Sequence, residues 1–234
     1  MPIDASAAQE AAKRIYAMLD LAEAADAFEF DAVDRQIGRI RSAAGPAAAI
    51  VVPNRHVRTC ADMLYRTRTL VTTRIAPGDL HAMERAVTDG AAEVELRAPG
   101  GIALDVLTRA AQRRNVKLAC PDDMDIREAL GRFDAARIRF AIVSDAPDPL
   151  RQAAKTIVAA GFRLGLKVTG CQTLAACQAV YDTISDAVGE AWIWPGTLRF
   201  DASETLHDDI VGHLRDRILS RPVGCGVRPD ERRH

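Results

Sequence analysis

The sequence predicts a (β/α)8 barrel, and two observations support that prediction. Eight short runs of β-branched and other apolar residues recur along the 234-residue chain, and amphipathic segments rich in Ala, Arg and Leu separate them. This alternation is typical of a parallel sheet covered by helices. A doubly wound open sheet is the alternative, because periodicity does not show whether a sheet closes. The predicted strands are Tyr16–Leu21, Ala48–Val52, Thr69–Ile75, Ala92–Arg97, Val116–Cys120, Ile138–Val143, Arg163–Val168 and Thr197–Phe200.

The segments between these strands have apolar residues three or four positions apart, which indicates helices. Pro or Gly marks most of the junctions. No linker rich in Gly, Ser or Pro interrupts the pattern. We therefore expect one domain over residues 1–234, with an N-terminal helix over about 1–14 and a C-terminal tail over about 220–234. The helical faces are Asp34, Ile37, Ile40 and Arg41; Leu104, Val106, Leu107 and Ala110; and Leu174, Cys177, Tyr181 and Ile184.

The bulk composition excludes several classes of function. A net charge of −1 with scattered arginines does not favour nucleic-acid binding. No apolar run is long enough to cross a membrane. The first residues lack the pattern of a signal peptide. Five cysteines without a CxxC pair indicate reduced thiols, so we expect a cytoplasmic protein. The sequence leaves a homodimer open.

Lys167 is the most informative single residue. Only four lysines occur among the 31 Lys and Arg residues. Lys117 opens a short apolar run, and Lys167 lies inside a predicted buried strand, between Leu166 and Val168. Burying an ammonium group costs several kcal/mol unless the charge is paired. Desolvation would lower the pKa of this lysine toward the range in which an amine is a nucleophile or a proton donor. The structural alternative is a lysine that extends its charge to water.

Carboxylates dominate the predicted strand ends, where parallel α/β folds bind their ligands. Glu93 and Glu95 are two residues apart and therefore on one face of their strand. Carboxylates around a single lysine suit a Schiff-base or proton-relay site. The other residues of interest near these ends are Asp20, Arg74, Asp122, Asp123, Asp145, Gly170, Cys171, Asp201 and Ser203.

The strand-seven segment LGLKVTGCQTLAACQAVYDTISDAVG, residues 164–189, resembles the deoxyribose-phosphate aldolase family. That family has a lysine on strand seven followed by a Gly-rich phosphate turn. Four further segments resemble family motifs in the same order over about residues 15–215. They are Leu19-Asp20-Leu21, IVVPNRHV (50–57), GAAEVE (90–95) and LRFDASETL (198–206). The resemblance implies a class I aldolase barrel.

The sequence also departs from the family pattern. The resemblance implies a Schiff-base lysine on strand six, but Ile142 stands at that position. The family also has a lysine on strand five, where the best register gives Ala119, with Lys117 nearby. Cys171 replaces a glycine of the phosphate turn, and Glu204 adds a negative charge beside Ser203. These two changes predict weak binding of a phosphorylated substrate.

From these residues we predict a candidate site. Lys167, Asp20 and Glu95 are the predicted catalytic residues, with Lys167 as the amine and the two carboxylates as its partners and proton relays. Asp145, Gly170 and Ser203 are the predicted substrate-binding residues. Asp145 and Ser203 have an alternative role as helix caps.

The predicted function is that of a divergent aldolase, a carbon–carbon lyase that acts on a small aldehyde or sugar-derived carbonyl compound. We predict no metal and no cofactor, because the carboxylates lack a recognisable ligand spacing. The alternative is a non-catalytic barrel that binds or regulates and has lost the Schiff-base lysine.

Overall fold

Eight parallel strands form a closed barrel in sequence order. A computed structural model describes residues 5–22, 37–38, 45–76, 79–96, 108, 112, 115–121 and 124–219. Closure is shown by β1 pairing with β8, where Leu19 aligns with Phe200 and Asp20 with Asp201. The (β/α)8 prediction is confirmed, and the open sheet is excluded. The strands are β1 Leu19–Ala22, β2 Ala49–Val52, β3 Leu70–Ile75, β4 Glu93–Leu96, β5 Asn115–Ala119, β6 Phe140–Ser144, β7 Gly165–Thr169 and β8 Leu198–Ala202.

Helices surround the barrel, and two 3-10 turns, Asn54–His56 and Glu190–Trp192, lie in its connections. Among the described residues, no helix is long and apolar enough to span a membrane. The α-helices are α1 Ala5–Tyr16, α2 Val57–Leu64, α3 Leu80–Thr88, α4 Ile126–Ala135, α5 Pro147–Ala160, α6 Leu174–Val188 and α7 Glu204–Leu219.

All eight predicted strands are present, but their predicted ends differ from the observed ends by a few residues. The largest difference is at β1, because Tyr16 ends α1 and the strand begins at Leu19. The face predicted for α6 is buried as expected. The faces predicted around residues 34–41 and 104–110 fall outside the described residues, apart from Ile37, which is buried.

The barrel is unusual in what fills its interior. Because side chains alternate along a strand, one set of residues faces the helices, and it is apolar at positions such as Leu118 and Val168. The residues between them point into the barrel and include Lys117 and Lys167, which have no exposed surface. Barrel interiors are usually filled by branched apolar side chains. Here charged side chains take much of that space.

Phe140 closes the amino-terminal end of the barrel. Gly165 is its neighbour on β7, and the two residues are paired in the sheet. A Cβ atom on Gly165 would lie 2.7 Å from the Phe140 ring and 2.9 Å from the backbone oxygen of Thr197. The absence of a side chain at Gly165 therefore leaves space for the Phe140 ring, which packs beneath the charged side chains inside the barrel.

We expect Gly165→Ala to destabilise the fold by about 1–3 kcal/mol, because a methyl group there overpacks a buried ring and a fixed backbone oxygen. Gly131→Ala is the matched control, since a Cβ atom at Gly131 in α4 meets nothing within 4 Å. The control is expected to be neutral or stabilising by up to about 1 kcal/mol. Urea denaturation monitored by circular dichroism measures both variants, and equal stabilities would contradict the packing described for Phe140.

Candidate active site

Lys167 is held by three carboxylates at the centre of the barrel. Its Nζ lies 2.5 Å from Oε2 of Glu95 on β4. It lies 3.1 Å from Oδ2 of Asp20 on β1 and 3.0 Å from Oδ1 of Asp201 on β8. The expected proximity of Lys167, Glu95 and Asp20 is therefore present in the structure. Asp201 completes the cage.

The expected direction of the Lys167 pKa shift is wrong. Burial alone would lower the pKa of Lys167, but the negative charges of Asp20, Glu95 and Asp201 outweigh burial and raise the pKa above its ordinary value of 10.5. Desolvation follows from the strand of Lys167 alone, whereas the three carboxylates come from other strands. In the resting protein Lys167 is an ammonium ion.

Lys117 is a second lysine inside the barrel, which the sequence analysis did not place there. It is fully buried on β5, and its Nζ contacts Oδ2 of Asp20 and lies 2.7 Å from Oε2 of Glu93. The register that put Ala119 in the place of the family lysine overlooked that Lys117 is two residues away, and so on the same face. Lys167 is therefore not the only lysine on a strand. The strand alternation alone would have found Lys117.

Asp20 is the carboxylate that joins the two lysines. Arg199 on β8 is its third cationic partner, with Nη1 2.9 Å from Oδ1 of Asp20. Burial would raise the pKa of Asp20, but Lys117, Lys167 and Arg199 together hold that pKa well below its usual range. The sequence alone did not show that Arg199 points inward.

Arg74 connects the buried charges to the mouth of the barrel, which is the end where the strands finish. Its Nε lies 2.9 Å from Oε1 of Glu95, and its Nη2 lies 2.8 Å from Oδ1 of Asp201. The Arg74 side chain is 32% exposed and that of Asp201 is 17% exposed, whereas the Glu95 side chain has no exposure. Arg74 and Asp201 are therefore the charged residues of this cluster that solvent reaches from the mouth.

The interior charges balance. Thr72 donates a further hydrogen bond to Glu93 Oε2 at 2.9 Å, and the Phe140 ring lies beneath the cations of Lys117 and Arg199. Such complete pairing is what makes buried charges tolerable. The set, here named the interior ion network, consists of Asp20, Glu93, Glu95 and Asp201 with Arg74, Lys117, Lys167 and Arg199.

Ile142 is the nearest neighbour of Lys167 on β6, because the two residues are paired in the parallel sheet. Their side chains therefore point to the same face, into the barrel. Ile142 also borders a cleft of about 620 Å³ at the mouth, between the ends of β5, β6 and β7. The position to which the resemblance assigns the Schiff-base lysine is thus apolar and next to the cleft.

The three predicted substrate-binding residues lie at the mouth. A Cβ atom on Gly170, whose φ is +107°, would be 2.7 Å from Oδ1 of Asp145, so these two residues are in close contact. Ser203 Oγ accepts a hydrogen bond from the backbone N–H of Leu206 at 3.3 Å and therefore caps α7. Asp122 and Asp123 fall outside the described residues. Within the described part of the chain, no group of three His, Cys, Asp or Glu side chains is arranged to hold a metal ion.

We expect Asp20→Asn to cost about 3–5 kcal/mol of stability at pH 7, because it leaves buried cations without their counter-charge. The folded-state pKa of Asp20 lies below its ordinary value of 3.8. Its contribution is therefore complete above that pH and is lost as the pH falls through and below it. The stability gap between wild type and variant should narrow from pH 5 to pH 3, measured by urea denaturation.

Asp62→Asn is the control for this measurement, because Asp62 is an exposed carboxylate on α2. Its stability gap relative to wild type should be small, because an exposed carboxylate contributes little to stability. A gap for Asp20→Asn that stays constant down to pH 3 would show that Asp20 is not the charged partner of the three cations.

No family model matches the sequence, and no curated protein matches it either. Solved structures do match the fold. The apo form of a Toxoplasma gondii ME49 protein, provisionally assigned as a deoxyribose-phosphate aldolase, has a TM-score of 0.69 at 11% identity, over 89% of this chain and 98% of that chain. A Coccidioides immitis protein with the same provisional assignment has a TM-score of 0.64 at 13% identity, over 87% of each chain.

The deoxyribose phosphate aldolase of Aeropyrum pernix, described as a unique tetramer, has a TM-score of 0.62 at 12% identity, over 93% of this chain and 100% of that chain. Identities this low establish the fold and leave the chemistry to the site itself. The neighbours agree with the resemblance found in the strand motifs. This chain has the barrel fold of the deoxyribose-phosphate aldolase structures.

Proposed function

We propose that this protein is a carbon–carbon lyase of the class I aldolase type, with Lys167 as the amine that reacts with a small carbonyl substrate. The observation that carries the proposal is the cage of Asp20, Glu95 and Asp201 around Lys167 Nζ, at 3.1, 2.5 and 3.0 Å. An amine with carboxylates at hydrogen-bond distance has both the nucleophile and the proton acceptors that imine chemistry requires.

The charge balance of the interior ion network favours an imine over other fates of Lys167. The ammonium first loses its proton to water, with a carboxylate such as Glu95 as the relay, and the neutral amine then adds to the carbonyl carbon. Protonation of the hydroxyl group and loss of water give an iminium ion, which carries the same positive charge as the original ammonium. The network therefore stays paired after the covalent step, so the fold does not pay for an unpaired buried carboxylate.

Carbon–carbon cleavage uses the iminium ion as an electron sink. The electron pair of the breaking bond moves to the iminium nitrogen and gives an enamine, while the β-hydroxyl group of the substrate loses its proton to a carboxylate. Asp201 suits this last role, because it contacts Lys167 and is partly exposed at the mouth. Arg74 binds both Asp201 and Glu95 and holds their carboxylates in place.

A non-catalytic barrel that binds a small molecule is the second candidate function. Two observations favour it: Ile142 occupies the position of the expected Schiff-base lysine, and Lys167 has no exposed surface. The raised pKa of Lys167, in which the nearby carboxylates outweigh burial, also opposes formation of the neutral amine. Covalent trapping of the substrate separates the two functions.

The setting of the reaction is also part of the proposal. We place it in the cytoplasm, supported by the described cysteines Cys60, Cys120, Cys171 and Cys177, which are all free thiols. We expect self-association, which size-exclusion chromatography with light scattering measures.

Borohydride reduction in the presence of small aldehydes should add to the wild-type protein the mass of one aldehyde less one oxygen atom, because water is lost and two hydrogens are gained, and peptide mapping should locate the adduct on Lys167. Lys167→Ala should give no adduct. Lys167→Arg should give none either, because a guanidinium keeps the charge but is not a nucleophile. Lys155→Ala, which removes an exposed lysine on α5, should leave the adduct unchanged. Specific labelling that survives in Lys167→Arg would remove Lys167 from the chemistry, and absence of any adduct would favour the non-catalytic barrel.

The rate of trapping should rise with pH across the range from 7 to 10. The carboxylates that outweigh burial keep the pKa of Lys167 above 10.5, so the free amine is a small fraction throughout this range. That fraction grows about tenfold for each pH unit. Initial rates of adduct formation, measured by intact mass, should follow it without levelling. A plateau near pH 8 would show that the amine titrates far below its expected range.

A further inference from the structure

The cleft beside Ile142 is mainly apolar. Besides Ile142, which is 6% exposed, its walls include Cys120, Met124 and Ile126. Burial raises the pKa of the Cys120 thiol to about 12, so this side chain is neutral at physiological pH. None of the described residues that line the cleft is a lysine, arginine or histidine. An anionic group in the cleft would therefore have no counter-charge from its walls.

Four polar residues line the cleft, Asp125, Ser144, Gln152 and Thr169, and hydrogen bonds within the protein engage Asp125 and Thr169. Asp125 caps α4, and its Oδ1 accepts hydrogen bonds from the backbone N–H groups of Arg127 at 2.9 Å and Glu128 at 3.3 Å. Thr169 at the end of β7 donates to the backbone oxygen of Val143 at 3.2 Å. Specific ligand pockets commonly combine an apolar lining with a small number of placed polar groups.

The cleft is adjacent to the candidate active site. Ile142 is paired with Lys167, and Thr169 ends the strand that carries Lys167. A molecule whose apolar part lies on Ile142 would therefore be next to the strand that carries the Lys167 amine.

The positions that bind phosphate in many barrels are occupied here by carboxylates of the chain itself. Those positions are the loops after strands seven and eight and the helix start that follows. Asp209 Oδ2 accepts a hydrogen bond from the backbone N–H of Leu174 at 2.7 Å, so a carboxylate of the chain already occupies this donor at the N-terminus of α6. The Asp145 carboxylate lies against Gly170, and Glu204 begins α7. These negative charges oppose an anion beside the cleft.

We propose that the cleft over Ile142 binds an uncharged alkyl substituent of the carbonyl substrate, and that this mouth selects neutral carbonyl compounds over phosphorylated or carboxylated ones. The inference rests on the proposed function for its orientation, in which the carbonyl group faces Lys167. It adds a substrate class and a binding surface that the lysine chemistry alone does not specify.

Equilibrium binding of simple ketones tests the cleft without requiring a covalent step. Ligand-observed NMR with butan-2-one, pentan-2-one, hexan-2-one and octan-2-one should show dissociation constants that fall by about threefold to fourfold for each added methylene group until the cleft is full. The anion 4-oxopentanoate has the chain length of pentan-2-one and should bind at least about tenfold more weakly. Inorganic phosphate should show no binding at the mouth. Affinity that does not change with chain length, or tighter binding of 4-oxopentanoate than of pentan-2-one, would overturn the inference.

A blocking variant locates the binding surface. Ser144 is exposed at the end of β6 and lines the cleft, so Ser144→Phe should fill it and weaken hexan-2-one binding at least about tenfold. Ala159→Phe places the same ring at an exposed position of α5 that does not line the cleft, and it should bind hexan-2-one as wild type does. Circular dichroism checks that both variants fold. Unchanged binding in a folded Ser144→Phe variant would exclude the cleft as the site.

The two proposals fail in different ways. Ketone binding that depends on chain length and on Ser144, without any borohydride adduct at Lys167, supports the cleft and removes the aldolase chemistry. Trapping at Lys167 with no preference for alkyl length and no effect of Ser144→Phe removes the cleft and leaves the chemistry in place.

Discussion

The Asp20 carboxylate is the interaction on which the interior of this barrel depends. It is fully buried, and its two oxygens are shared among Lys117, Lys167 and Arg199, which come from three different strands. Removing it would leave the three buried cations with one carboxylate fewer among them. The remaining members of the interior ion network then serve to pair the charges that Asp20 does not satisfy. A barrel whose centre is ionic depends more on complete pairing than one packed with branched apolar side chains.

The same pairing sets the terms for any chemistry at Lys167. An ammonium ion caged by three carboxylates is a poor nucleophile at rest, yet the carboxylates that stabilise it are also its proton acceptors. Substrate binding at the mouth would shift this balance by excluding water near Asp201 and Arg74, the partly exposed members of the network. Lys167 is therefore an ammonium ion that must lose a proton before it can act as a nucleophile.

The sequence predicts the barrel well because the fold follows from alternation, which a single chain displays. It also predicts that Lys167, Glu95 and Asp20 meet, since an inward lysine requires partners and strand ends converge. It did not place Lys117, although the strand alternation is sufficient to do so. It did not place Arg199 either, because the direction of that side chain depends on register across the barrel. The sign of the Lys167 pKa shift was wrong for the same reason. The burial of Lys167 can be predicted from its own strand, whereas the carboxylates that raise its pKa come from three other strands.

The charge balance of the interior accounts for an apolar residue at Ile142. A lysine at this position would point into the barrel beside Lys167 and would add a fifth cation to four carboxylates. Unless its amine were neutral, the fold would carry an unpaired buried charge at a cost of several kcal/mol. An isoleucine avoids the cost of an unpaired buried charge, and it also contributes an apolar side chain to the lining of the neighbouring cleft. A single replacement on β6 thus keeps the interior ion network paired, leaves Lys167 as the amine nearest the mouth, and changes the chemistry of the surface that a substrate would meet.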